Sequence, residues 1–232
     1  MKLFSIGDSH SIFFEQSGIM LSHWTGPIHI ATIYQLLEKG LNICNLQEDL
    51  AASDHYTKIG IPPWKGESKT YNTTNIQAGD TVLFWFGFND MQKNINKYAA
   101  NDYETEIYRL IKGYILLLKE YELKYKITCI PCSIFPNPSP SESPLTVADY
   151  YGISGDFNTT GSPAQRNTYT KHANEIIRYL CSKHHLKFFD LYEGITDENG
   201  FLNKEFSTDY IHLDPHNYVL VEKMKMVIKL FI

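Results

Sequence analysis

Val82-Leu83-Phe84-Trp85-Phe86 is apolar at every position, so a strand formed here must be covered on both faces. Such a strand belongs in the middle of a sheet packed on each side, which narrows the chain to layered folds. Five short apolar, β-branched or aromatic runs read as strands, at 2–6, 41–46, 81–86, 126–131 and 186–191. Helical patterns fall between and after them, at 27–39, 102–125, 164–185 and from 215 to the end. Strands alternating with helices predict an α/β fold: a three-layer α/β/α sandwich around a five-stranded parallel sheet. Asp214 reads as the N-cap of the last helix and Pro215 as its first helical residue, with Val219, Met224, Val227 or Ile228, and Phe231 along the packing stripe.

A length of 232 residues fits one domain spanning 1–232, with no internal repeat. Two stretches lack periodicity, at about 51–77 and 136–163, and read as irregular insertions. The second leaves the carboxyl end of a strand, where open parallel sheets bind ligands, so it either walls a site or makes a surface excursion. The formal net charge of −5 offers no electrostatic footprint for nucleic acid or anionic membrane. No apolar run reaches the roughly 18 residues of a membrane span. The first strand begins at the amino terminus, so the expectation is no cleavable signal peptide and a cytoplasmic, reducing location. Cys129-Ile130-Pro131-Cys132 has the spacing of a redox pair or half a zinc site. It trails a strand and has no second pair, so structural thiols are the simpler reading.

Three short motifs carry chemistry: Gly7-Asp8-Ser9-His10, Gly87-Phe88-Asn89-Asp90 and Asp209-Tyr210-Ile211-His212. Together they hold a serine, an amide donor, and a histidine with a carboxylate three residues before it. That is the inventory of acyl transfer at a serine. Each also has a plain alternative: a Gly-Asp-Ser tripeptide is common, Asn-Asp pairs form turns, and a lone histidine often sits in an exposed loop.

These blocks resemble those of the SGNH hydrolase superfamily, the GDSL-type esterases and lipases. Gly7-Asp8-Ser9 is similar to its first block, Phe86-Gly87-Phe88-Asn89-Asp90 to its Gly-x-Asn-Asp block, and Asp209-Tyr210-Ile211-His212-Leu213 to its last. Arg166, Asn174 and the run from Phe188 to Tyr192 resemble the stretch that precedes that last block. The likeness spans positions 1 to about 220 and is weakest over the two irregular segments. It implies a flavodoxin-like sheet with Ser9 as nucleophile, His212 as general base and Asp209 as its carboxylate partner. The oxyanion would be met by the Ser9 N–H, the Asn89 side chain and a glycine N–H, with Asp90 holding the Asn89 loop. Gly26 is the candidate glycine because Trp24-Thr25-Gly26-Pro27 leads into a predicted helix start, and Gly18 and Gly40 compete with it.

The resemblance implies an esterase for short acyl groups, acetyl above all, on small molecules or glycans, with no cofactor and no metal. An O-acyltransferase using the same serine is an alternative, as is a non-catalytic carbohydrate-binding module. His10 departs from the family, whose name expects Leu there. It creates an Asp-x-His that opens a rival metallophosphoesterase reading, with His212 and His216 as further ligands. The Asn-His and Gly-His-x-His elements of such sites do not occur in the chain.

Overall fold

The computed structural model describes residues 1–25, 76–88, 90–91, 102–139, 162–208 and 212–231. Its sheet contains β1 (Leu3–Gly7), β2 (Leu21–Thr25), β3 (Thr81–Trp85) and β4 (Thr128–Pro131), in the order β2-β1-β3-β4 with every neighbouring pair parallel. β1 therefore lies beside β3, with Phe4 opposite Val82 and Ile6 opposite Phe84, although β2 intervenes in the chain. This reversal of strand order creates a crevice beyond the carboxyl ends of β1 and β3, the usual ligand position in open α/β sheets.

The helices are α1 (Ile12–Gln16), α2 (Tyr103–Tyr125), α3 (Pro163–His184), α4 (Tyr192–Ile195) and α5 (Tyr218–Ile228). They lie on both sides of the sheet, for a reason visible in β3. Val82, Phe84 and Phe86 point into one core, which they share with Ile111, Ile115 and Leu118 of α2 and Ile177 and Leu180 of α3. Leu83 and Trp85 point into the other, with Phe13 and Phe14 of α1 and Leu220, Met224 and Ile228 of α5. The two-residue alternation of a strand thus sorts one apolar run into two cores. The result is an α/β fold with a parallel sheet and flanking helices.

The helix starts follow capping chemistry. The Asp102 carboxylate accepts from the Thr105 N–H, and Ser162 and Gln165 form a reciprocal capping box ahead of α3, with Pro163 in the first turn. The last helix begins later than the sequence predicts. Asn217, not Asp214, is its N-cap, accepting from the Leu220 N–H at 3.0 Å. Asp214 and Pro215 instead build a preceding turn, in which Asp214 Oδ1 accepts from the His216 N–H and the Asp214 carbonyl accepts from the Asn217 N–H. The helix thus starts three residues later, and its packing stripe is Leu220, Val221, Met224 and Ile228, with Val219 exposed.

Other differences concern the sheet. β2 forms from Leu21-Ser22-His23-Trp24-Thr25, where no strand was expected. The 186–191 segment contributes a single parallel bridge from Phe189 to Cys132, so four strands and that bridge make up the sheet among the described residues. The strand expected at 41–46 and the helix at 27–39 lie outside the described residues, as do most of the two irregular stretches. No helix among the described residues is long and apolar enough to cross a membrane.

The Cys-x-x-Cys spacing acquires a plain meaning. Cys129 and Cys132 are buried thiols, and three residues along an extended chain sends them to opposite faces. Cys129 joins the core under α2 and α3, and Cys132 joins the one under α1 and α5. Burial pushes the Cys132 thiol well above the usual thiol range, and the nearby Asp8 carboxylate adds to this. Burial likewise pushes the Cys181 thiol of α3 up to about 12. These are packing residues.

Candidate functional site

β1 ends at Gly7, where the main chain passes against two neighbours at once. A Cβ there would lie 2.3 Å from the Trp85 carbonyl oxygen and 2.7 Å from Ser11 Cβ, so only glycine fits. The chain then folds back on Asp8. The Asp8 N–H donates to the Trp85 carbonyl at 2.9 Å, and the Asp8 carbonyl accepts from both the Ser11 N–H at 3.0 Å and Ser11 Oγ at 2.8 Å. Asp8 Oδ1 accepts from the His10 N–H at 3.1 Å, closing an Asx-type turn. These bonds wind Ser9–Ser11 into a single 3-10 turn that runs into α1. Ser9 opens that turn at the carboxyl edge of the sheet, and for this residue the structure describes the backbone.

The second motif follows β3. Gly87 adopts φ 111, a conformation that side chains oppose, and its carbonyl accepts from the Met91 N–H at 3.0 Å. Asp90 is fully buried, and Asp8 is 1% exposed. Burial holds the Asp8 carboxyl well above the usual carboxylate range. The His10 N–H opposes this, the neighbouring Asp90 charge adds to it, and the Phe88 N–H opposes it again. Asp8 is therefore electrostatically coupled to the turn after β3.

The segment after β4 supplies a third wall. Ser133 donates its N–H to the Phe189 carbonyl and accepts from the Leu191 N–H at Oγ. Asn174 of α3 then grips the next residue at both ends: its Oδ1 accepts from the Ile134 N–H at 2.6 Å, and its Nδ2 donates to the Ile134 carbonyl at 3.1 Å. The following residue, Phe135, is buried and points towards the motif residues.

His212 arrives from the loop ahead of α5. Leu213 anchors that loop in the core shared with α5, and the Asp214 N–H donates to the Phe206 carbonyl at 2.8 Å. His212 itself is half-buried. Its ring centroid lies 4.9 Å from that of His10, and His10 also meets Phe135 at 4.0 Å and Phe88 at 4.3 Å. The turn after β1, the turn after β3, the segment after β4 and the C-terminal loop therefore meet at one ring, that of His10.

Gly26, Asn89 and Asp209 lie outside the described residues. Gly18, a competitor for the Gly26 role, sits in the turn between α1 and β2. Among the described residues, no group of three or more His, Cys, Asp or Glu side chains is set out to hold a metal ion. Two contributors to the site carry little local signal. Phe135 follows a strand as one apolar residue among several, and the central place of His10 depends on contacts with residues more than 75 positions away.

No protein-family model matches the chain, and no curated protein does. Its fold, an α/β arrangement with a parallel sheet and flanking helices, is shared with solved structures at low identity. A protein from Streptococcus pneumonia, provisionally described as a platelet activating factor, aligns with a TM-score of 0.57 at 15% identity, over 99% of this chain and 83% of that one. A GDSL-like lipase from Bacteroides thetaiotaomicron aligns with a TM-score of 0.52 at 16% identity, over 99% of this chain and 86% of that one. The C-terminal domain of the Drosophila Oskar protein aligns at 0.50 and 12% identity, over 97% and 85% of the two chains. At these identities the likenesses concern the fold alone.

Proposed function

We propose that the chain is a serine esterase that cleaves short acyl esters, acetyl esters above all, through a covalent acyl-enzyme. In this reading the Ser9 hydroxyl attacks the ester carbonyl as His212 takes its proton. Asp209 holds the other imidazole N–H and stabilises the imidazolium. The negative charge on the former carbonyl oxygen is met by the N–H groups of Ser9 and Gly26 and by the Asn89 amide. His212 returns the proton to the departing alcohol, then draws one from water, whose oxygen attacks the acyl carbon. Acid is released and Ser9 is restored.

The observation that carries this reading is the 4.9 Å approach of His212 to His10, the residue after Ser9. It sets the imidazole from the C-terminal loop against the turn that Ser9 opens, at the crevice between β1 and β3. The low-identity likeness in fold to a GDSL-like lipase supports it. The polar, aromatic-bearing stretches at about 51–77 and 136–163 favour a small or sugar-linked acyl group.

The reading is tested with a fluorophosphonate probe and a panel of esters. The wild-type chain takes one label and releases acetate from O-acetylated glycans faster than it cleaves long-chain esters, and chelator leaves both unchanged. Ser9→Ala takes no label and loses at least about 10³-fold in turnover. A Ser9→Ala variant that is still labelled and still active would sink the assignment. Products formed with a sugar acceptor present separate hydrolysis from acyl transfer, and activity that vanishes with chelator points to metal-dependent chemistry.

A further inference from the structure

His10 directly follows the proposed nucleophile, yet its ring is only 2% exposed. Phe135 stacks on it with centroids 4.0 Å apart and planes 19° from parallel, and Phe88 meets it edge-on at 4.3 Å and 71°. Trp85 lies further off, at 6.4 Å. A ring held on its face and at an edge by buried aromatic neighbours has little freedom to rotate. Its holders are fixed in turn: Phe135 follows Ile134, which Asn174 grips at both backbone groups, and Phe88 follows Gly87, whose carbonyl accepts from the Met91 N–H. The His10 main chain is fastened to Asp8 as well. Against this immobile ring lies the His212 ring, tilted by 39°. His212 comes from a loop rather than a helix or strand, so a packed surface is needed to set its direction.

We propose that His10 is a positioning residue for His212, its imidazole clamped by Phe135 and Phe88 and serving as the wall that orients the His212 ring. The inference rests on the reading of His212 as the general base. Being buried, His10 acts through His212 and not on substrate. Its loss therefore falls on kcat and leaves KM in place. What the position requires is a flat, rigid ring, so phenylalanine substitutes for histidine better than alanine or leucine does.

The test compares wild type with His10→Ala, His10→Leu and His10→Phe, using kcat and KM on p-nitrophenyl acetate and the NMR resonance of the His212 imidazole, assigned with His212→Gln. In His10→Ala and His10→Leu, kcat is expected to fall by about 10- to 100-fold, with KM within about twofold of wild type. The His212 resonance should move or broaden in both. His10→Phe should recover about tenfold of the lost kcat and bring the resonance back towards its wild-type position. His10→Leu carries the comparison should the alanine variant not fold. The inference is overturned by a wild-type kcat with an unmoved His212 resonance in His10→Leu, by a loss confined to KM, or by a phenylalanine variant no better than the leucine one. A wild-type chain that cleaves no ester and takes no fluorophosphonate label defeats the esterase reading instead, and the His212 resonance still decides whether His10 orients that ring.

Discussion

Asp8 pairs a structural task with an electrostatic penalty. Its carboxyl accepts from the His10 N–H, which closes the turn after β1, yet it is buried beside Asp90. Burial raises its folded-state value well above the usual one, so the folded chain keeps this proton where the unfolded chain gives it up. The sign follows directly: between the two values the native state binds more protons, and stability falls as pH rises. That window opens near the ordinary carboxylate value of about 4 and extends upwards. Asp8→Asn keeps an acceptor for the turn and removes the titration. Chemical denaturation from pH 4 to 8 should show a smaller loss of stability with rising pH in Asp8→Asn than in wild type, and equal slopes would refute this account. The Gly-Asp-Ser pattern makes Ser9 legible in the sequence, but the burden on Asp8 comes first from burial and then from the charge of Asp90, 82 positions further on, and no local pattern reveals either.

Helix α3 shows how a single side chain can stand in for a strand. Beyond β4 the sheet loses its ladder, and Asn174 satisfies both backbone groups of Ile134 in place of a neighbouring strand. Removing that amide leaves a buried N–H and a buried carbonyl without partners, at about 1–3 kcal/mol each. Asn174→Ala should lower the urea midpoint with m unchanged, and a loss below about 1 kcal/mol would show that the clamp carries little. The helical period and the Ser162–Gln165 capping box make α3 easy to locate in sequence. Its partner in the clamp is not legible, because Ile134 lies 40 residues earlier and its selection depends on how α3 packs across the sheet. The start of α5 illustrates a competition between caps. Asp214-Pro215 satisfies the local rules for a helix start, but the Asn217 amide also donates to the Glu205 carbonyl at 2.8 Å, a tertiary bond that favours the later start.

Two cores on either side of one sheet make the buried thiols a probe of global unfolding. Cys129 and Cys132 report on opposite faces, Cys181 of α3 shares the core of Cys129, and the reactive species is the thiolate, which burial disfavours. With iodoacetamide and peptide mapping, these three cysteines should stay unmodified in the native protein and react together across the urea transition. Modification of Cys132 well before Cys129 would mean that the two faces open separately. The unbroken apolar run Val82–Phe86 and the spacing of the helices were enough to predict an α/β sheet covered on both faces, because the hydrophobic pattern records which sides of an element meet water. They could not predict β2, whose Leu21-Ser22-His23-Trp24-Thr25 has no continuous apolar run and becomes a strand by pairing with β1. Nor could they reveal that His10 is where three strand ends and a C-terminal loop come together. Local composition sets the form and the facing of each segment, whereas neighbours distant in sequence are chosen by packing the assembled layers, a property of the whole chain at once.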